Sequence, residues 1–259
     1  MMNTKQRNLL ATSVSLLIAA TVPAVTSAAT PGCDPNDAST WGPVTWGAGT
    51  TVPRTARIGA GTTIGANSAI GKGARIGVCG TIGNDVRVTP YVSAGSSVTI
   101  NDGASIGSRA RMGDAVVVGA GASVNSRAFL GNNVTVKDGA NIGASARISD
   151  GSIIGPNSNI GAHAFVGSNS RLGKDVVWIS PGVWDTTDNV NSTVTIGQYV
   201  RLDDGALMGD GTIVGTRSRA GLNVIIGNDV AVGSKVGLCD NAQVQDGMSL
   251  ASKSRFGCF

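Results

Sequence analysis

The chain has 259 residues, of which 41% are apolar and only 14% are charged, below the roughly 25% typical of globular proteins. All 16 acidic residues are aspartate, and 38 residues are glycine. The lack of glutamate and the shortage of strong helix formers exclude a helical bundle. One histidine, four cysteines and no CxxC motif exclude a His-rich or Cys-rich metal site, and a formal charge of +4 is too small to indicate a nucleic-acid-binding protein.

The amino-terminal segment is typical of a secretory signal peptide. Lys5 and Arg7 precede an apolar run over residues 9–25, and small residues follow it. A membrane anchor would need about 20 apolar residues, and this run is shorter and interrupted. We predict that residues 1–29 are removed. The mature chain would then be periplasmic, displayed on the cell surface or extracellular, in a compartment that permits disulfides, with no stable membrane span.

A six-residue repeat dominates the rest of the chain. From Trp46 to Phe256 an apolar residue recurs at every sixth position without an insertion, and only Ala94 and Ala220 in this series are small. A small residue or valine usually stands two residues earlier, and glycine usually follows. The period of two inside each hexad predicts a short strand, and the remainder predicts a turn. Repeats this short bury their apolar face only by stacking.

The repeat IGAGTTIGANSAIGKGARIG resembles the hexapeptide-repeat family. The resemblance implies an all-β, single-stranded, left-handed parallel β-helix of triangular coils. General crossover rules would favour the right hand, so the handedness comes from the resemblance alone. With three hexads per coil we expect about 12 coils of 18 residues over residues 46–259, with no inserted loops. Residues 30–45 lack the hexad spacing and are predicted to cap the first coil.

The cysteines fit such coils. Cys239 and Cys258 are 19 residues apart, one coil plus one residue, which places them within disulfide reach on adjacent coils. Cys33 in the cap is then left for Cys79. We predict both disulfides, which suit an exported chain better than four free thiols.

A period of 18 sorts the outward residues onto three faces, and one face is basic. Its two adjacent outward columns, which we call the basic stripe, hold 12 of the 18 basic residues that follow residue 29. The column directly before the apolar positions contains Arg57, Arg75, Arg111, Arg147, Arg201, Arg219 and Arg255, and the column two residues earlier contains Arg109, Arg127, Arg217, Lys235 and Lys253. Tyr91, Phe129, His163, Phe165 and Tyr199 occupy the same columns.

Two interpretations of the basic stripe remain open. Long cationic side chains cover sheet surfaces and discourage edge pairing. Like charges stacked about 4.8 Å apart repel, however, which favours a bound polyanion.

The aspartates avoid the entry corner of the basic face. One group follows a neighbouring face and contains Asp85, Asp102, Asp138, Asp175, Asp210, Asp229 and Asp246. The other group follows the basic face and contains Asp114, Asp150, Asp185, Asp203, Asp204 and Asp240. Turn chemistry explains them better than calcium binding.

One segment departs from the repeat. Residues 178–192 read WISPGVWDTTDNVNS, with Trp178 and Trp184 at interior positions and Asp188 where a small residue belongs. Either the chain bulges here and exposes Trp184, Asp185 and Asp188, or a wide coil encloses them. Sites tend to lie where a consistent pattern fails, so these four residues are a candidate small-ligand site.

Many hexapeptide-repeat proteins are acyltransferases that use a histidine base in a cleft between trimer subunits. The resemblance therefore implies His163 as a catalytic candidate, but it lies three residues before Val166 rather than the typical four. The γ-class carbonic anhydrases need three histidines, and this chain has one.

These observations predict an exported structural or surface-binding rod. We expect its basic stripe to contact a polyanion, such as an acidic glycan or lipopolysaccharide, or the acidic face of a partner protein or another subunit. A hexapeptide-repeat acyltransferase using His163 is the alternative, and a subunit of an extracellular fibre is a further one. We expect a binding protein rather than an enzyme, without a cofactor or metal. A homo-oligomer, either a trimer or a fibre, stays open.

Overall fold

The computed structural model describes residues 33–40, 42–180, 183–187 and 193–258, and over residues 174–187 it describes the backbone alone. The predicted signal peptide lies outside these residues. Apart from the 3-10 helix Ala38–Thr40, the described elements are strands, most of them two residues long. Within the described part of the chain no helix has the length and apolar character needed to cross a membrane.

The strands form three parallel sheets. The first sheet contains Thr45–Trp46, Thr63–Ile64, Thr81–Ile82, Thr99–Ile100, Val117–Val118, Thr135–Val136, Ile153–Ile154, Arg171–Ser180, Leu207–Gly209, Ile225–Ile226 and Gln243–Val244, with Val183–Thr187 paired to the long strand. The second sheet contains Ala69–Ile70, Arg87–Val88, Ser105–Ile106, Ser123–Val124, Asn141–Ile142, Asn159–Ile160, Thr195–Ile196, Ile213–Val214, Ala231–Val232 and Ser249–Leu250. The third, which we call the basic sheet, contains Arg57–Ile58, Arg75–Ile76, Ser93–Ala94, Arg111–Met112, Phe129–Leu130, Arg147–Ile148, Phe165–Val166, Arg201–Leu202, Arg219–Ala220, Gly237–Leu238 and Arg255–Phe256.

The pairing register confirms the 18-residue coil. Thr63 pairs with Thr81, and Ile64 pairs with Ile82, both in parallel and 18 residues apart. The chain visits the first, second and basic sheets in turn, and about 11 coils stack as a left-handed parallel β-helix. The predicted fold class is confirmed.

The hexad positions form the core. Ile64, Ile142 and Val244 are at most 1% exposed, and the other hexad positions from 64 to 172 and from 196 to 244 are buried as well. Most of the small residues two positions earlier are also buried, and most of the polar ones find a partner, as when the Ser152 hydroxyl donates to the Gly167 carbonyl at 2.8 Å; the buried Ser170 hydroxyl is an exception. Trp46 differs from the prediction: it is 52% exposed, because it belongs to the outermost strand of its sheet.

The glycine that follows each apolar position reflects close contact between coils. At Gly83 an added Cβ would collide with the Asp102 carboxylate and lie 2.7 Å from its backbone nitrogen. Adjacent coils approach at these corners more closely than a side chain allows.

The chain leaves the stack once, and this corrects the prediction of 12 coils without an inserted loop. Leu172 pairs with Met208, so the paired residues here are 36 positions apart instead of 18. The intervening chain turns back on itself as an antiparallel hairpin, in which Asp175 lies opposite Thr187 and Trp178 opposite Trp184. One coil's length of sequence is therefore placed outside the β-helix.

The composition of the extruded segment explains why it leaves the stack. Trp178 and Trp184 would occupy interior positions that isoleucine, leucine and valine fill elsewhere, and overpacking a close-packed interior is destabilising. Asp188 would bury a carboxylate at a small-residue position, which is costly without a partner. The strand pairing agrees with a bulge and not with a wide coil, while the predicted exposure of Trp184 and Asp185 stays a prediction. Asp188 itself lies outside the described residues.

Both predicted disulfides are present. Cys239 and Cys258 join adjacent coils at the carboxyl end, with Cα atoms 5.2 Å apart. Cys33 joins Cys79 across 46 residues, with Cα atoms 5.6 Å apart, and ties the segment before the first strand to the side of the β-helix.

Candidate binding surface

The strand column of the basic stripe is built by the register of the basic sheet. Arg57 lies directly opposite Arg75, and Arg201 lies opposite Arg219. Between these pairs the column alternates between cations and rings, in the order Arg111, Phe129, Arg147, Phe165 and Arg201. The arginines of this column are exposed, while the apolar residue after each points into the core.

The second column lies at the corner between the second sheet and the basic sheet, where the backbone is left-handed. Arg109, Arg127 and Arg217 have φ values of 61°, 60° and 61°, and Lys235 and Lys253 have values of 60° and 65°. Left-handed backbone is unfavourable for residues with a Cβ, and asparagine, aspartate and glycine are the residues that tolerate it. The sequence here uses large side chains where the backbone disfavours them.

The other two corners follow the usual preference. The corner after the first sheet holds Asn67, Asp85, Gly103, Gly121, Gly139, Asn157, Gly211, Asp229 and Gly247. The corner after the basic sheet holds mostly glycine and asparagine at the same place. The corner of the basic stripe holds Gly73, Tyr91, Arg109, Arg127, Ser145, His163, Tyr199, Arg217, Lys235 and Lys253, with no asparagine or aspartate. The stripe corner therefore holds mostly large side chains where the other two corners hold glycine, asparagine, aspartate or another small residue.

Few of the stripe cations have an anionic partner. Among the described residues, an ion pair on the stripe joins Arg201 Nε to Asp203 Oδ1 at 2.7 Å. Two guanidinium groups lie over rings: Arg147 is 5.6 Å from the Phe129 centroid, and Arg201 is 5.3 Å from the Phe165 centroid. The other cationic side chains of the stripe face solvent, so their repulsion is offset by water and salt.

The extruded hairpin makes the stripe continuous. His163 and Tyr199 are 36 residues apart in sequence, yet their rings stack at 5.0 Å with an interplanar angle of 2°. An uninterrupted coil would instead have placed Pro181 and Val183 in the two stripe columns. Removing that coil from the stack brings Phe165 next to Arg201 as well.

The aspartates serve the turns, as predicted. The Asp102 carboxylate accepts a hydrogen bond from the Asn84 amide one coil away at 2.7 Å, and Asp114 accepts one from the Ser96 amide at 2.7 Å. The same bond recurs at Asp138, Asp150, Asp204, Asp240 and Asp246, at 2.7 to 2.9 Å. Within the described residues no three metal-ligating side chains come together. These carboxylates accept hydrogen bonds from backbone amides, and among the described residues Arg201 is the stripe arginine that has an aspartate partner.

The other predicted site residues are placed as follows. Trp178, Trp184 and Asp185 lie on the hairpin, where the backbone alone is described, and Asp188 lies outside the described residues, so the small-ligand site stays a prediction. His163 is exposed, with a φ of 57°, and its described contact is the Tyr199 ring.

Sequence reasoning missed a groove along the stripe. Its volume is about 610 Å³, and its lining includes Tyr91, Arg109, Arg127 and Phe129. One signal in the sequence points to it: the turn position that holds asparagine, aspartate or glycine elsewhere holds tyrosine or arginine there.

The chain is similar to known proteins over parts of its length. Residues 94–186 match the model of the GMPPB C-terminal domain, and no curated protein sequence matches the chain. The solved structures that resemble it include the acetyltransferase domain of PglB from Neisseria gonorrhoeae (21% identity over 45% of this chain and 51% of that chain, TM-score 0.32). A putative acetyltransferase from Bacillus cereus is 17% identical over 48% of this chain and 78% of that chain, with a TM-score of 0.39. The UDP-N-acetylglucosamine acyltransferase of Francisella novicida is 19% identical over 78% of this chain and 66% of that chain, with a TM-score of 0.40.

These likenesses concern the β-helix. The chain spans about half the length of the Neisseria domain, and each of the three TM-scores is below 0.5. The repeat, the register and the coil length agree with the resemblance to the hexapeptide-repeat family, and the chain has no close match to one of that family's enzymes.

Proposed function

We propose that the protein is an exported β-helical rod that binds an anionic polymer along its basic stripe. The proposal rests on the left-handed corner of the stripe, where Arg109, Arg127 and Arg217 occupy positions that the other corners give mostly to glycine, asparagine or aspartate. Each such residue destabilises the fold by about 1 kcal/mol, and strain of this kind persists at functional sites.

The electrostatics of the stripe support the same function. Arg57 and Arg75 lie opposite each other, and like charges in that arrangement are destabilising. A polymer with repeated phosphate, sulfate or carboxylate groups would remove this repulsion. Guanidinium groups bind such groups through two parallel hydrogen bonds, which favours arginine over lysine on such a surface.

The cysteines and the amino-terminal segment support export. Disulfides persist in oxidising compartments, and Cys33–Cys79 and Cys239–Cys258 use all four cysteines. An anionic polymer in the periplasm, at the cell surface or outside the cell is then the natural partner. The acidic face of another subunit is the alternative partner, and size-exclusion chromatography of the purified protein distinguishes it by the presence of an oligomer.

Matched variants test the proposal. Arg111→Gln with Arg147→Gln removes two charges from the strand column, and Arg87→Gln with Arg171→Gln removes two from equivalent outward strand positions on the other sheets. Exposed ion pairs contribute up to about 1 kcal/mol each, so we expect the stripe variant to lose about 5- to 30-fold in affinity for dextran sulfate. The off-stripe variant should stay within twofold of the unmodified protein. Equal losses from both variants would reject the stripe as the site.

Acyl transfer is the second candidate, because the similar solved structures include acetyl- and acyltransferases. In this chain the exposed His163 would be the base, and no described carboxylate orients its ring. A general base contributes about 100-fold or more to the rate. If the purified protein transfers an acyl group, and His163→Asn lowers that rate at least 100-fold, acyl transfer replaces polymer binding as the function. Asparagine suits the left-handed backbone at this position.

A further inference from the structure

One part of the basic stripe differs from the rest by forming a groove. Arg109, Arg111, Arg127 and Arg147 line it together with Tyr91 and Phe129, and no aspartate is among the lining residues. The lining spans four successive coils, which at about 4.8 Å per coil is about 14 Å. Four cations around a concave surface of about 610 Å³ would bind a compact group with several negative charges.

Tyr91 is the ring of the stripe that remains open. Arg147 lies over Phe129, and Arg201 lies over Phe165. Tyr199 is stacked on His163. Tyr91 is 52% exposed, and none of the described cations or rings lies over it.

The tyrosine is also held in place. Its ring occupies the space that a side chain at Gly73 would need, since an added Cβ there would lie 2.8 Å from Cδ1 and 2.9 Å from Cε1 of the ring. Gly73 therefore leaves room for the Tyr91 ring beside the preceding coil. A ring fixed on one side and open to the groove is a platform for a flat apolar surface.

We propose that this groove is the primary subsite of the stripe and that it takes one sugar ring of an acidic glycan. The C–H face of the sugar would lie on Tyr91, and its phosphate, sulfate or carboxylate groups would bind Arg109, Arg111 and Arg127. The inference rests on polymer binding by the stripe and adds the class of polymer. Single-stranded nucleic acid fits less well, because proteins that bind it stack successive bases on several open rings, whereas a single ring is open in this groove.

Tyr91→Asn and Tyr199→Asn form a matched pair for the test. The two tyrosines share the column, are 52% and 53% exposed, and have φ values of 63° and 57°. Asparagine occupies the same turn position at Asn67 and Asn133, so both variants keep the corner conformation. Thermal unfolding of each variant should confirm that the β-helix is intact.

Affinity is measured for four probes: polygalacturonate, dextran sulfate, inorganic polyphosphate and oligo-dT. We expect Tyr91→Asn to weaken binding of at least one glycan about fivefold, in line with contacts between aromatic rings and other groups. Polyphosphate, which has no ring, should bind both variants within twofold of the unmodified protein. Tyr199→Asn should leave every affinity within twofold.

The outcomes separate this inference from the proposed function. If the unmodified protein binds none of the four probes, polymer binding itself fails. If it binds glycans and polyphosphate but Tyr91→Asn changes neither affinity, the stripe binds polymer and the sugar subsite is wrong. A loss confined to oligo-dT would also overturn the subsite and assign Tyr91 to base stacking.

Discussion

The left-handed corner of the basic stripe leads to a prediction about stability. Replacing Arg109, Arg127 and Arg217 by asparagine puts into the stripe the residue that the other corners use at φ values between 50° and 60°. The variant loses three charges and keeps the backbone, the core and both disulfides. We expect it to be more stable than the unmodified protein.

The size of the effect follows from the backbone and the charges. A residue with a Cβ in left-handed backbone is destabilised by about 1–2 kcal/mol, and asparagine recovers part of this through local hydrogen bonds. At about 0.7 kcal/mol for each site, the three changes together stabilise the fold by about 2 kcal/mol. For a chain of this size that raises the Tm by about 4–8 °C.

The assay is thermal unfolding followed by circular dichroism, with the reverse substitution as the control. Asn133, Asn223 and Asn241 lie at the corner after the basic sheet, with φ values of 54°, 52° and 58°. Changing these three to arginine should lower the Tm by a similar amount. If the stripe variant melts at or below the temperature of the unmodified protein, the corner is not strained and the argument for a functional origin of its side chains fails.

Three further predictions concern the architecture. Deleting residues 174–191 removes 18 residues and places Leu172 six positions before the next core residue, Ile196. The β-helix of this variant should stay folded, with a Tm within about 3 °C of that of the unmodified protein. Loss of the cooperative unfolding transition would show that the hairpin is part of the fold. Replacing Cys239 and Cys258 together by serine should lower the free energy of unfolding by about 2–4 kcal/mol and open the carboxyl-terminal coil first. Hydrogen exchange would detect this opening as lost protection of the amides in that coil. A uniform loss of protection along the rod would contradict the prediction. Ile142→Ala should lower the free energy of unfolding, measured with denaturant, by about 2–5 kcal/mol, because Ile142 is 0% exposed. A loss of less than about 1 kcal/mol would argue against a close-packed core.

The sequence predicts most of the fold because a strict period carries both burial and register. Ile64 and Ile82 share a phase, and that phase alone places them on adjacent strands. The Cys239–Cys258 disulfide follows from the same arithmetic, since 19 residues is one coil plus one, and Cys33 is then left for Cys79.

The extruded hairpin is where the period misleads. Residues 175–192 are 18 residues long, a multiple of the six-residue period. The phase of the later coils is therefore the same whether this segment lies in the stack or outside it. Side-chain volume at Trp178 and Trp184 decides the outcome, and periodicity carries no information on volume.

The binding surface is predictable in outline and not in detail. The 18-residue period predicts that Arg57 lies opposite Arg75, and the structure pairs these two residues. The left-handed turn residue recurs three positions after each core residue, so its place follows the repeat, but the repeat alone does not show that the backbone there is left-handed. The stacking of His163 on Tyr199 depends on the extruded coil, so the period of 18 does not predict it.

The measurement that tests the central claim most directly is the salt dependence of glycan binding. Each cation that contacts the polymer releases counterions, so the logarithm of the affinity falls linearly with the logarithm of the salt concentration, with a slope set by the number of contacts. We predict a steep fall for the unmodified protein between about 50 and 200 mM salt, and a slope shallower by up to about two units for Arg111→Gln with Arg147→Gln. Arg87→Gln with Arg171→Gln should leave the slope unchanged. Binding that is insensitive to salt, or the same slope change in both variants, would contradict a polymer bound along the basic stripe.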